Sequence, residues 1–372
     1  MKQFKITPQI LEFEHCQEVA EHFQIGKGDL VFISDRTYQQ YFTDTIGDAA
    51  YRVNYRNYVT GEPTDVMVEA IAADIKDYQF NRVFAIGGGT ILDVAKLFAL
   101  KQTVPVVALF NKELEITKDK ELILIPTTCG TGSEVTNISI LELTAIHQKF
   151  GLAVDELYAD YAVLVPELLS DLPMNVFATS SIDALIHAIE SYTSPKASAF
   201  SQLYSKQAMA MIISGYQTIA KGGPEARKPL LKDFMIAATF AGISFGNAGC
   251  AAVHAMSYPL GAVYHVPHGE ANYALFTAVY KTYQALDPDG SIKELNAFLA
   301  AILGCEANAV YQEIETLLGH ILPKKALRDY GVTRADLASF TAAVMTKQTR
   351  LMANNYVPLS EDQVLAIYQQ LY

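Results

Sequence analysis

Residues 81–100 read NRVFAIGGGTILDVAKLFAL, and the fold turns on how this stretch is read. NRVFAI is apolar after its first two residues and has the texture of a buried strand. Gly87, Gly88 and Gly89 interrupt it, and TILDVAKLF then spaces its apolar residues as a helix does. Strand, tight turn and helix in succession open a βα unit. Glycine lets a backbone adopt positive φ and come close to a ligand. Thr90 is placed to cap the helix, and Thr90-x-x-Asp93 has capping-box spacing with Asp in place of Glu. The helix start then presents free N–H groups and the positive end of its dipole, which suits a pyrophosphate. The pattern is neither GxGxxG nor a Walker A loop, so a plain strand–helix turn accounts for it equally well.

Outward from this unit, DLVFISD (29–35), TVPVVALF (103–110) and ELILIPTT (121–128) read as further short buried strands. Strands alternating with helices imply a doubly wound parallel layer. From about residue 175 the texture changes. FATSSIDALIHAIESYTS (177–194), SQLYSKQAMAMIISGYQTIAKGG (201–223) and PLLKDFMIAATFAGISFG (229–246) have helical spacing, and the tail continues so. The expected division is an α/β domain over 1–175 and an all-helical domain over 176–372.

Two features in the first half point to a nucleotide. Asp35 closes the strand DLVFI; it either takes ribose hydroxyls, favouring NAD over NADP, or is an ordinary turn residue. The loop after ELILIP is rich in hydroxyls: Thr127, Thr128, Thr131 and Ser133, with Gly130 and Gly132. Ligands of open α/β sheets bind at that end of the strands. Cys129 reads as a small filler.

The chain of 372 residues is 51% apolar and 18% charged, too apolar for disorder. Lys plus Arg is 28 and Asp plus Glu 40, a net charge of −12, which argues against nucleic acid or an anionic membrane as partner. Cys16, Cys129, Cys250 and Cys305 are far apart, as in a reducing compartment rather than a disulfide framework or zinc knuckle. The opening MKQFKITPQILEFEHCQEV breaks its apolar stretch with Glu and His, and no run reaches membrane-span length; a cytoplasmic protein is expected.

His15, His22, His147 and His320 lie among polar residues and read as surface side chains. The remaining four are different. Asp183 and His187 share the apolar helix SIDALIHAIE; at ~100° per residue they lie about 40° apart on one face. His254, His265 and His268 lie in AAVHAMSYPLGAVYHVPHGEANY (251–273), where Pro259, Gly261, Pro267 and Gly269 allow the chain to curl. A polar pair in an apolar helix needs a partner. One Asp with several His suits a divalent ion with nitrogen and oxygen ligands: Fe²⁺, Zn²⁺ or Mn²⁺.

Taken together, GGGTILDVAK (87–96), PTTCGTGSEVT (126–136), DALIHAIE (183–190) and HAMSYPLGAVYHVPHGEAN (254–272) resemble the iron-containing (group III) alcohol dehydrogenase family over almost the whole chain. AVLVPELL (162–169), GISFGNAG (242–249) and NNYVP (354–358) are most similar to the branch of that family acting on 4-hydroxybutyrate. The resemblance implies a Rossmann-like nucleotide domain followed by an all-α metal domain, the dehydroquinate synthase-like fold, with the active site in the cleft between. It implies NAD and a divalent metal, Fe²⁺ ahead of Zn²⁺, with Asp183, His187, His254 and His268 as ligands and His265 outside the metal shell. Gly88, Gly89 and Thr90 would hold the pyrophosphate. Thr127, Thr128 and Ser133 would line the cofactor, Lys149 would lie near the nicotinamide ribose, and Asp35 would favour NAD.

The implied reaction is hydride transfer between 4-hydroxybutyrate and succinic semialdehyde. Other outcomes on the same scaffold are a 1,3-propanediol, lactaldehyde or glycerol type dehydrogenase, or a dehydroquinate-synthase-like enzyme. A non-catalytic NAD- or metal-binding regulator is a further alternative, against which the complete ligand set argues. The substrate is a small alcohol or aldehyde, and the assembly a homodimer or larger. Two positions depart from the family. Tyr258 stands where many members carry a second His, so a proton relay through it is in question. The family's Asn-Pro turn reads Glu62-Pro63. The far carboxylate of the substrate needs a charge-assisted donor, with His265, Tyr258, Asn354 and Asn355 as candidates.

Overall fold

In the first half, strand residues alternate between two apolar layers. Leu30, Phe32, Val83, Ala85, Leu122 and Leu124 pack into one cluster; Val31, Ile33, Phe84, Ile86, Ile123 and Ile125 pack into another. Successive side chains of a strand point to opposite faces, so a sheet covered on both sides needs unbroken apolar strands. The computed structural model describes residues 2–58, 63–145 and 148–372, the side chain of Gln148 excepted. Glu62 and His147 lie outside the described residues.

The sheet has six parallel strands in the order β1-β8-β5-β4-β2-β3: β1 (Gln9–Glu12), β2 (Asp29–Ile33), β3 (Tyr51–Val53), β4 (Arg82–Gly87), β5 (Glu121–Pro126) and β8 (Tyr161–Leu164). A separate antiparallel hairpin joins β6 (Ile138–Leu143) to β7 (Gln148–Ala153). The helices of this unit, Ile6–Leu172, are α1 (Cys16–Phe23), α2 (Asp35–Tyr41), α3 (Asp65–Asp74), α4 (Gly89–Phe98) and α5 (Val106–Phe110).

From β2 the chain goes to the edge strand β3 and returns to β4 on the other side of β2. The order therefore reverses between β2 and β4, the place where open parallel sheets bind ligands beyond their carboxyl ends. In register, Ile33 sits beside Ile86 and Gly87 beside Pro126. Asp35, the Gly88–Gly89 turn and Thr127–Thr128 thus follow the ends of three adjacent strands.

Four sequence expectations need correction. TVPVVALF is not a strand: Val106–Phe110 is the short helix α5, entered through Pro105. The segment packs against α3 and the β6–β7 hairpin instead of joining the sheet, so tertiary context overrides its β-branched composition. Asp35 does not end the strand; Ser34 caps α2, its hydroxyl accepting from Thr37 N, and Asp35 is the first helical residue. Thr90 is not the cap of α4, because the helix begins at Gly89 with Gly88 as cap. Finally, the leading residues through Lys5 belong with the second half. Lys5 N donates to Asn247 Oδ1 and Asn247 Nδ2 donates to Lys5 O, at 2.7 and 2.9 Å.

The second unit comprises Pro173–Tyr372 with those leading residues. Its described regular elements are helices: α6 (Met174–Thr193), α7 (Ala199–Gly222), α8 (Leu231–Ala248), α9 (Ala252–Tyr264) and α10 (His268–Leu286), with α11–α15 between Gly290 and Leu371. The expected curl of 254–272 is a single break. α9 runs through Pro259 and Gly261 to Tyr264, His265 turns the chain at φ 54°, and His268 opens α10. Among the described residues no single helix is long and apolar enough to cross a membrane.

Candidate metal and cofactor sites

Three helices deliver four side chains to one point. Asp183 and His187 come from one face of α6, His254 from the first turn of α9, and His268 from the first residue of α10. Asp183, His187 and His254 are buried and His268 is half-buried, and one ligand atom from each lies within 4.8 Å of all the others. His187 Nδ1 is 3.9 Å from Asp183 Oδ2, while His254 Nε2 and His268 Nε2 are 3.6 and 3.8 Å from Asp183 Oδ1. These gaps are too long for hydrogen bonds. Ligand bonds of about 2.1 Å to a tetrahedral ion put neighbouring donors about 3.4 Å apart, a few tenths closer than found here.

The donor chemistry fits a divalent cation. His187 Nδ1 and His254 Nε2 are buried without a hydrogen-bond partner. Leaving such atoms unpaired costs about 1–3 kcal/mol each, and a cation would take their lone pairs. Burial by itself would raise the Asp183 carboxyl. His187, His268 and His254 outweigh it and hold Asp183 well below the usual carboxylate range. Cys250 lies against the same two imidazoles; burial raises its thiol, but His254 and His187 bring it below its ordinary value.

Two further side chains, quoted in the motifs above but given no role there, hold these groups in place. Asn272 Nδ2 donates to Asp183 Oδ1 at 2.7 Å. Glu190, fully buried on α6, accepts from Ala251 N, Val253 N and His254 Nδ1. The signal was available for both: each follows a metal-ligand candidate on its own helix by whole turns, seven residues after Asp183 and four after His268. Gly269 is required by packing, since a Cβ there would sit 2.0 Å from Thr179 O and 3.2 Å from Asp183 Cβ.

The other expected residues are scattered. Tyr258 is half-buried beside the cluster, its ring 6.2 Å from that of His268. His265 is exposed at the end of α9 and is not one of the four clustered ligands. Asn354 Nδ2 donates to Cys250 O at 3.0 Å, and Asn355 Nδ2 approaches Met352 Sδ. His15, His22 and His320 are exposed.

In the α/β unit, a Cβ on Gly89 would lie 2.6 Å from the Thr131 side chain, whereas one on Gly88 would meet Thr128 at an ordinary 3.5 Å. Gly89 is therefore a packing glycine, and Gly88 leaves the backbone of the turn open. Thr90 stands in the first turn of α4, and Thr127 N donates to Gly87 O at 3.0 Å. Ser133 is buried: its hydroxyl donates to Asp93 Oδ1 and accepts from Lys96 Nζ at 2.7 Å. Asp93 does no capping; its other oxygen accepts from Ile140 N at 3.1 Å. Lys96 is fully buried, which lowers its amine despite Asp93, and it also donates to Thr136 Oγ1 and Ile138 O. This knot ties the 126–136 loop to α4. Lys149 lies on β7 opposite Glu142, and Asp35 Oδ2 accepts from Asn54 Nδ2 at 2.6 Å. Cys129 is buried.

The parallel sheet with its glycine turn, followed by an all-helical unit carrying a His₃Asp cluster, defines a nucleotide- and metal-dependent enzyme architecture, and the comparisons with known proteins specify which. The family model for iron-containing alcohol dehydrogenase matches residues 10–166, and that for the C-terminal part of the Fe-containing alcohol dehydrogenase family matches 177–372. This chain belongs to the iron-containing alcohol dehydrogenase family. It is 45% identical over 372 residues to a 4-hydroxybutyrate dehydrogenase of Clostridium kluyveri, covering 100% of both chains. It is 33% identical over 350 residues to long-chain-alcohol dehydrogenase 1 of Geobacillus thermodenitrificans, covering 89% of this chain and 85% of the relative. In fold it is similar to sulfoacetaldehyde reductase from Bifidobacterium kashiwanohense solved with NAD⁺: TM-score 0.85, 22% identity, 100% of this chain and 98% of that one.

Proposed function

We propose that this chain catalyses NAD-dependent interconversion of 4-hydroxybutyrate and succinic semialdehyde, with a divalent ion, Fe²⁺ before Zn²⁺, held by Asp183, His187, His254 and His268. The observation that carries the substrate is the 45% identity along the full length of both chains to a 4-hydroxybutyrate dehydrogenase. When bound, the ion supplies Lewis acidity at the alcohol or aldehyde oxygen, and NAD supplies or accepts the hydride.

The residues do the positioning. Asp183 contributes the only negative charge of the quartet, so polarisation is milder than at an all-His site. Asn272 fixes one oxygen of Asp183. The first-turn N–H groups of α4, at Gly89 and Thr90, bind the pyrophosphate with Gly88 leaving room for its approach. Asp35 takes ribose hydroxyls through the oxygen that Asn54 leaves open and repels a 2′-phosphate. Thr127 and Thr128 line the cofactor at the end of β5. Ser133 acts through the loop its hydroxyl pins to Asp93 and Lys96 rather than by touching the cofactor, and Lys149 stands near the nicotinamide ribose. Tyr258 is the favoured donor to the substrate carboxylate, because its ring adjoins that of His268. His265, Asn354 and Asn355 are the less favoured candidates; Asn354 already donates to Cys250 O. The working form is a cytoplasmic homodimer or larger assembly.

The test is NADH oxidation with succinic semialdehyde, before and after chelation, with Fe²⁺ or Zn²⁺ added back. Turnover restored by metal supports the proposal. Turnover only with uncharged aldehydes keeps the family and removes the 4-hydroxybutyrate assignment.

A further inference from the structure

We propose that Glu190 is a positioning residue of the metal centre: it sets which nitrogen of His254 faces the ion. The inference rests on the metal reading above and adds a residue to it. Asp183, His187 and Glu190 form one stripe along α6 at i, i+4 and i+7, so a single helix face carries two ligand candidates and, two turns on, a second carboxylate. Glu190 has no exposure and reaches the start of α9. Its Oε1 accepts from Val253 N at 2.7 Å, and its Oε2 accepts from Ala251 N at 3.0 Å and from His254 Nδ1 at 2.6 Å.

An ionised carboxylate only accepts, so the proton of a neutral His254 is held on Nδ1. The lone pair then lies on Nε2, the atom 3.6 Å from Asp183 Oδ1 that has no partner of its own. The two backbone bonds fix the carboxylate, the carboxylate fixes the ring, and the ring aims its free nitrogen at the other three ligands. Glu190, Cys250 and His254 also lie close enough together to grip an ion. With three donors already on it, the Glu190 carboxylate is committed to orientation instead. Carboxylate–histidine–metal relays of this kind raise ligand basicity and lock the imidazole tautomer.

Glu190 also caps α9, since Ala251 offers no side-chain cap of its own. The two roles separate experimentally. Apo-protein of the unaltered chain and of Glu190→Gln and Glu190→Ala is titrated with Zn²⁺ against a chelator and with Co²⁺ by visible absorption. The melting temperature of each apo-protein is recorded alongside. The expected result is metal affinity weakened by about ten- to a hundredfold in both variants, with an altered Co²⁺ spectrum. A lower apo melting temperature with affinity and spectrum unchanged would make Glu190 a cap only and overturn the inference. Should the variants not fold, ¹⁵N-histidine NMR of the unaltered Zn²⁺-loaded protein decides: Nε2 ligation with a retained Nδ1–H on His254 supports the inference, and Nδ1 ligation overturns it. If the unaltered chain binds neither Zn²⁺ nor Co²⁺, the metal reading fails, and this inference with it.

Discussion

The two units make their sites from different material. In the α/β unit the groups proposed to hold the pyrophosphate are backbone, at the Gly88–Gly89 turn and the first turn of α4, beside the point where the strand order reverses. In the helical unit the groups proposed to hold the metal are side chains from α6, α9 and α10, with a second ring, Glu190 and Asn272, holding them. A backbone site is set by topology and tolerates side-chain changes that spare its glycines. A side-chain site needs polar groups in an apolar interior, and each of those needs a partner. The contrast predicts that single substitutions in one unit leave the other unit's binding intact.

The largest break should come at the metal ligands. His268→Ala should lower kcat/KM on the order of a thousandfold, corresponding to several kcal/mol of lost electrophilic assistance. Bound metal, measured by elemental analysis, should fall with it, while NAD binding followed by calorimetry stays as before. Loss of both ligands together would erase the separation. Next is the buried knot of the other unit. Lys96→Met leaves Asp93 without its cation and should destabilise by about 3–5 kcal/mol, read from denaturant unfolding, with the metal affinity of the folded protein unaltered.

Gly89→Ala should cost about 1–3 kcal/mol of stability, because its methyl would collide with Thr131, while Gly88→Ala should spare stability and weaken NAD binding more than Gly89→Ala does. If Gly89→Ala is the more damaging to NAD affinity in folded protein, the open turn at Gly88 is not the approach to the phosphates. The smallest effect concerns pH. Burial would raise the Glu315 carboxyl, but hydrogen bonds and charge from Lys281 and Lys324 hold it at about 2, below its ordinary 4.5. A folded value below the unfolded one stabilises at pH above 4.5, and that contribution is lost as pH falls toward 2. Glu315→Gln should therefore flatten the acid limb of the stability curve between those values, with little change in turnover.

How much of this was legible in the sequence follows from where each residue finds its partners. β2, β4 and β5 showed as unbroken apolar runs because both sheet faces are covered. β1 did not: its residues are mostly exposed at the sheet edge, so no apolar run marks it. Val106–Phe110 misled because its composition suits a strand, whereas the segment forms a short helix entered through Pro105 and packs against α3 and β7. Thr90-x-x-Asp93 had the spacing of a capping box, yet Asp93 was claimed by Lys96, Ser133 and Ile140 N, which local pattern cannot reveal. Asp183 and His187 stood out as polar residues in an apolar helix. Glu190 and Asn272 satisfied the same criterion but gained a meaning only once α9 and α10 were seen against α6.

Gly269 carries one more consequence. With no room for a single methyl between its backbone and Thr179 O, α10 rests on α6 at the contact limit, directly beside His268 and Asp183. The separation of the two helix backbones that carry those donors is then set by packing at the glycine. A divalent ion at the proposed site would therefore find the α6–α10 side of the quartet held at a spacing that packing elsewhere cannot relax.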